Sequence, residues 1–291
     1  MAIGCRCRCR PWFLIGLGWV PIVVGILLAC SILIPYTIAV GLHHVPAGFP
    51  YISDSGTTPP ESCLFGQFLN MTAVFGLAGI YIRYKQVELY TGHSYPYSLH
   101  RVNKICLVLG TLACLGMSLV ANFQETNVIA VHFFGAFILF ATGAVYGFLQ
   151  AWLTYRLCPE HASIIVYQIR LLLSVVIAIF FVISYPHHTF LPQAQYSPTA
   201  HSPPNHVPLP TYYHAFTSYR TLTPYRTLTA SDYAIHIVAT VSEWIMAMAF
   251  LFYFFTFIRD FQKITLDFEF KRYTPEPFFD VEVYGNNIET I

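Results

Sequence analysis

Three ionisable side chains stand inside otherwise uncharged, apolar stretches of this chain: His132, His236 and Glu243. An ionisable group is costly in an apolar surrounding, so each must meet a partner or water, and groups placed this way mark proton relays and ion pathways. His236 and Glu243 are seven residues apart, which on a helix puts them on one face with Thr240 between them. Two roles fit this set together with the nearby amides Asn122 and Gln124. One is interhelical hydrogen bonding, worth about 0.6–2 kcal/mol per contact in membrane helices. The other is pH sensing, because imidazoles with a reference pKa of about 6.5 charge in an acidic compartment and a carboxylate such as Glu243 stabilises the charged form.

Catalytic signatures are missing from the sequence. It has no Gly-rich phosphate loop, no G-x-S-x-G, no H-E-x-x-H and no cysteine pair at zinc spacing. Asp54 and Glu61 can be posed as an acid and base, but the turn chemistry of S-D-S-G-T-T-P-P accounts for that stretch without catalysis. The sequence therefore implies no enzyme and no cofactor. A near-neutral net charge of +1 gives no reason to expect nucleic acid.

The elements that must position these residues follow from composition. Of 291 residues, 56% are hydrophobic and only 10% charged, against about a quarter charged in a soluble domain. The chain is an integral membrane protein, with the lipid bilayer as its first partner. Marking every charge leaves six gaps able to cross a hydrocarbon core: roughly 13–39, 64–82, 105–120, 128–153, 171–185 and 235–258. The third and fifth are short and need flanking polar residues to complete a span. Lipid cannot hydrogen-bond a bare backbone, so the fold class is all-α, a polytopic bundle of six transmembrane helices. The first run rivals a signal peptide, but it is about twice the usual 7–15 residues of an h-region, so it is expected to stay as an anchor.

Lys and Arg set the orientation. With the N-terminus cytosolic, thirteen of the fifteen fall on the cytosolic side, and only Arg220 and Arg226 fall in a long loop on the other. Both ends are then cytosolic. The expected organisation is a Cys/Arg-rich N-terminus (1–11), a six-helix membrane domain (12–260) and a cytosolic tail (261–291). The membrane domain carries a first lumenal loop at 43–63 and a flexible lumenal loop at 186–232. Asn122, Gln124, His132 and His236 fall in the lumenal half, with Glu243 expected deeper.

The first loop carries FPYISDSGTTPPE, with Pro50, Tyr51, Ser53, Asp54, Gly56 and Glu61, and no Lys or Arg, as a translocated segment should. This stretch resembles the first-loop signature of the damage-regulated autophagy modulator (DRAM) family. YIRYKQV at 81–87, SLVANFQE at 118–125 and EWIMAMAFLFYFFTFIRDFQKITL at 243–266 agree with it in order. The resemblance implies a six-span, non-enzymatic protein of lysosomal or endolysosomal membranes that promotes autophagy and is linked to cell death. A wider branch of the superfamily implies an alternative, a plasma-membrane scaffold for phosphoinositide kinase recruitment. The intramembrane polar set leaves a third, a proton-linked transporter or lumenal pH sensor. The chain departs from the family in its Cys/Arg alternation and its enlarged last loop.

That loop holds eight prolines, five histidines and a tandem YRTLT, a composition that does not bury enough surface to fold alone. Its histidines lack paired metal-ligand spacing. Cys5, Cys7 and Cys9, interleaved with arginines before the first span, are candidates for reversible S-palmitoylation. Cys63 is alone in a lumenal loop, so no lumenal disulfide framework is expected. The sequon at Asn70 falls inside the second span, out of a glycosyltransferase's reach. Gly143 and Gly147, with Gly135 on the same expected face, suit close helix packing. In the tail, Phe278 and Val281 have the aromatic-x-x-aliphatic spacing that resembles motifs for ubiquitin-like autophagy proteins, which such peptides join by strand addition.

Overall fold

The computed structural model of the protein describes residues 16–92, 96–190 and 230–265. Six long helices carry the apolar runs: α1 (Trp19–Gly41), α2 (Glu61–Thr91), α3 (Tyr97–Asn122), α4 (Ile129–Arg156), α5 (Ile164–Phe190) and α6 (Ala230–Phe255). A single turn, α7 (Ile258–Phe261), follows α6. All six long helices have the length and hydropathy to cross a membrane, and no strand occurs among the described residues. The protein is a polytopic, all-α membrane protein.

The third and fifth apolar gaps grow into full spans because their polar flanks are satisfied inside the bundle. Asn103 donates to the Tyr84 carbonyl at 3.0 Å, and Arg170, the last charge before the fifth gap, is fully buried. A charge that finds partners inside need not end a helix. At the far end α5 continues past Tyr185 to Phe190, which takes His187 and His188 onto a helix.

Neighbours in sequence are neighbours in space. Each helix packs on the next, from α1 through α6, and α6 returns to α1, closing a ring of six. Short connections force this antiparallel order from α2 to α5, while longer segments, 42–60 and 191–229, join α1 to α2 and α5 to α6. One end of the ring carries the first loop, between α1 and α2, and is here termed the loop end. The other, where the described chain begins at Gly16 and finishes at Thr265, is the terminal end. There Leu17 N–H donates to the Phe261 and Ile264 carbonyls at 3.0 and 3.1 Å, joining the start of the chain to α7.

One core cluster joins α1, α2 and α3 through Leu28, Phe65, Leu69 and Met117, with Ile52 of the first loop. A second joins α4, α5 and α6 through Ala144, Ile177, Met246 and Tyr253. Outward faces carry exposed Ile26, Leu33, Val74, Leu115, Phe134 and Leu172. Such a surface suits hydrocarbon and not water.

Small residues set the closest approach. A Cβ on Gly116 of α3 would stand 2.6 Å from the Gly135 carbonyl of α4, so these two backbones touch. Gly135 thus serves the α3 contact. Gly143 faces Phe250 of α6 and Gly147 faces Ser174 of α5, so the three glycines do not share one face as expected. Eight residues advance a helix by roughly 80° beyond whole turns, enough to turn Gly143 to a different neighbour.

Candidate functional site

At the loop end the first loop folds back into the ring. Phe49 takes a left-handed φ of 47° and turns the chain inward just before Pro50. The Pro50 carbonyl accepts the Trp244 indole N–H at 2.9 Å, and Ile52 N–H donates to Glu243 Oε2 at 3.0 Å. Between them the buried Tyr51 ring meets His236 edge-on, with centroids 5.1 Å apart. Tyr36 of α1 braces the same place, its ring edge-on to Trp244 at 5.3 Å and its hydroxyl donating to the Ala47 carbonyl. Three consecutive loop residues are therefore clasped by α6. Asp54–Gly56 form a single 3₁₀ turn, closed by Thr57 Oγ1 donating to the Asp54 carbonyl at 2.8 Å.

Ser53 links this clasp to a second set. Its side chain hydrogen-bonds Glu125, a fully buried carboxylate between α3 and α4 that also feels the His132 imidazole. His132 Nδ1 lies 2.7 Å from the Phe123 carbonyl. Burial pushes the Glu125 carboxyl above the ordinary carboxylate range, with Ser53 and His132 opposing. Burial also raises the Tyr51 phenol, helped by Glu243, Asp54 and Glu125 nearby. Glu125 is absent from the sequence-based candidates because it reads as an ordinary loop charge; only the folded loop shows it enclosed.

The structure redistributes the expected intramembrane cluster. Glu243 stands about two helical turns further along α6 from the loop end than His236, and it meets the first loop because that loop descends to it. His236 and Glu243 share a face but not a bond, since His236 packs on Tyr51 while Glu243 accepts from the Ile52 backbone. Asn122 lies apart, paired reciprocally with Asn70 at 3.0 Å and joined by Ser118, so the sequon asparagine is an α2–α3 packing residue. Gln124 accepts from Asn127 in the connecting loop. Glu61, at the start of α2, pairs with His44 at 2.5 Å. Cys5, Cys7, Cys9, Phe278 and Val281 lie outside the described residues, as do His201, His206 and His214.

At the terminal end a charge cluster went unforeseen. Asp260 of α7 receives Arg170 of α5 at 2.8 Å and Arg83 of α2 at 3.4 Å, all three buried. Arg170 also donates to Thr154 and to the Thr256 hydroxyl and carbonyl, and Arg83 to Gln86 and Gln150. The Phe257 ring lies under both guanidiniums, 4.0 Å from Arg170 and 5.5 Å from Arg83. A network that ties α2, α4, α5 and α7 fixes how the ring closes.

Inside the ring lies a cavity of about 150 Å³, walled by all six helices and reached by Ile52 and Ser53 of the loop. Among the described residues no group of three or more His, Cys, Asp or Glu is placed to hold a metal ion. The loop end is thus a hydrogen-bonded clasp over an apolar cavity, in a ring built to sit in a bilayer.

This is the architecture of a six-span membrane protein whose first loop is part of its packed structure. Residues 16–264 match the family described as the Frag1/DRAM/Sfk1/Cwh43P N-terminal domain, and the chain belongs to that family. It is 37% identical over 258 residues to DNA damage-regulated autophagy modulator protein 2 of Mus musculus, covering 89% of this chain and 88% of the relative. It is 36% identical over 256 residues to DNA damage-regulated autophagy modulator protein 1 of Homo sapiens, covering 87% and 94%. The aligned length takes in the whole ring, so family membership extends to the DRAM branch that the first-loop motif suggested. No solved structure gives a significant match.

Proposed function

We propose that this protein is a non-enzymatic membrane regulator that promotes autophagy from lysosomal or endolysosomal membranes, with a link to cell death. The observation that carries this is the identity of 37% over 258 residues to a protein named as an autophagy modulator, a name that states a regulatory role and no reaction. The terminal end is cytosolic and the loop end lumenal. All eight described Lys and Arg residues sit at the terminal end, which the positive-inside rule assigns to the cytosol. The clasped first loop is then the surface shown to the lumen, held by Glu243 and Trp244.

A second role, lumenal pH sensing, is favoured by one feature: the buried Glu125 beside His132 at that same end. The test is re-expression of the tagged chain in cells depleted of it, scored for autophagic flux and for overlap with lysosomal and plasma-membrane markers. Restored flux with lysosomal overlap supports the proposal. Flux unchanged by depletion and re-expression overturns the autophagy role, and exclusive plasma-membrane location points instead to a scaffold for lipid-kinase recruitment.

A further inference from the structure

The cavity inside the ring is walled by all six helices. At about 150 Å³ it equals the engineered core cavity that admits benzene, and it runs from the loop end past the middle of the helices. Leu69, Met117, Ala136, Phe140, Ile177 and Phe250 form apolar walls. Polar groups line it at the loop end and, further along, at Tyr146 and Tyr253, and several are engaged: Ser31 donates to the Leu28 carbonyl, His132 to the Phe123 carbonyl, Tyr253 to the Gly147 carbonyl, and Ser53 bonds Glu125. Glu243 keeps acceptor capacity. It lines the cavity and accepts a single hydrogen bond, from Ile52 N–H to Oε2, whereas a carboxylate has room for about four.

The charges around that carboxylate select the ligand. Glu125 and Asp54 are further carboxyl groups close to Glu243, while His132 acts on Glu125 and His236 packs on Tyr51. Every Lys and Arg described is at the opposite end of the ring. An anionic head group is repelled here, and an ammonium is attracted and donates the hydrogen bonds that Glu243 still accepts. An aliphatic tail then replaces empty space along the walls with contact.

We propose that the cavity is a binding site for a single-tailed lipophilic amine, its ammonium on Glu243 and its aliphatic chain along the ring axis. The site stands on the cavity and its charges, independently of any role in autophagy, and its test reads binding alone.

The full chain is placed in lipid nanodiscs and irradiated with hexylamine bearing a photoactivatable diazirine on its tail, a probe near the size the cavity admits, beside hexanol and hexanoic acid carrying the same group. The amine is expected to label cavity residues of α3, α4 and α6 about tenfold more than the acid, the ratio of one charge-assisted contact. Glu243→Gln should bring the amine down to the level of the alcohol. Ala136→Phe, which fills the cavity, should remove labelling by all three probes, and Ala113→Leu does so by a second wall if Ala136→Phe fails to fold. Equal labelling by amine and acid overturns the proposal. So does labelling confined to outward residues such as Ile26, Val74 and Phe134, or labelling of the cavity unaffected by either filling substitution.

Discussion

Asp260 shows how much one residue can hold. Two buried guanidiniums depend on its carboxylate, and removing one partner of a buried pair typically costs about 3–5 kcal/mol because the other charge is left unpaired. Asp260→Ala should lower the thermal unfolding midpoint of the purified protein sharply. Lys85→Ala, which breaks an exposed pair with Glu88 and exposed contacts with the Tyr81 and Tyr84 rings, should lower it far less. Glu125 makes a pH prediction of definite sign. Its folded pKa is raised above the unfolded value of 4.5 by burial, so its contribution to stability is full below that value and is lost as pH rises through the folded pKa. The loop end should therefore be more stable at pH 5 than at pH 7, and Glu125→Gln should flatten that difference in a thermal-shift series. His236 and Glu243 hold adjacent residues of one loop, Tyr51 and Ile52, so the loss of stability when both are changed to glutamine should be smaller than the sum of the single losses, as a double-mutant cycle would read.

At the scale of elements, helix packing rests on positions where no side chain fits. Gly116→Val places a branched side chain against the α4 backbone and should destabilise the fold, while Gly41→Ala, at a site with nothing within 4 Å, should be neutral. Comparing the two by unfolding in detergent separates close packing from general loss of glycine. The six spans were legible in the sequence because charges are excluded from hydrocarbon, and gaps between charges therefore mark helices directly. What that logic misses is a charge that goes inside. Arg83, Arg170 and Asp260 read as ordinary span-end charges, and only the ring brings residues from α2, α5 and α7 to one depth. The first-loop motif and the intramembrane polar set were both visible, but as separate features. Their union depends on a loop descending between helices nearly two hundred residues apart in sequence, as Ile52 and Glu243 are, and local pattern holds no record of that.

For the whole molecule, sidedness joins fold to function. The assignment of 186–232 to the lumen is tested by protease protection on sealed organelles, where the loop should resist digestion from the cytosolic side until the membrane is opened. Cleavage with the membrane intact would reverse the topology. We propose that the tail at 261–291 faces the cytosol and contacts ubiquitin-like autophagy proteins. A peptide of residues 274–284 should bind them with micromolar affinity, and Phe278→Ala with Val281→Ala should abolish binding by emptying both apolar pockets.

The central claim is that the clasped first loop is the working surface of an autophagy regulator. Trp244→Phe removes the indole N–H that holds the Pro50 carbonyl while keeping an aromatic ring, and Glu243→Gln weakens the hold on Ile52. The most direct measurement is autophagic flux in depleted cells re-expressing wild type or this double variant at equal abundance and equal location. Flux should return with the wild type and stay near the depleted level with the variant. Full rescue by the variant would contradict the claim.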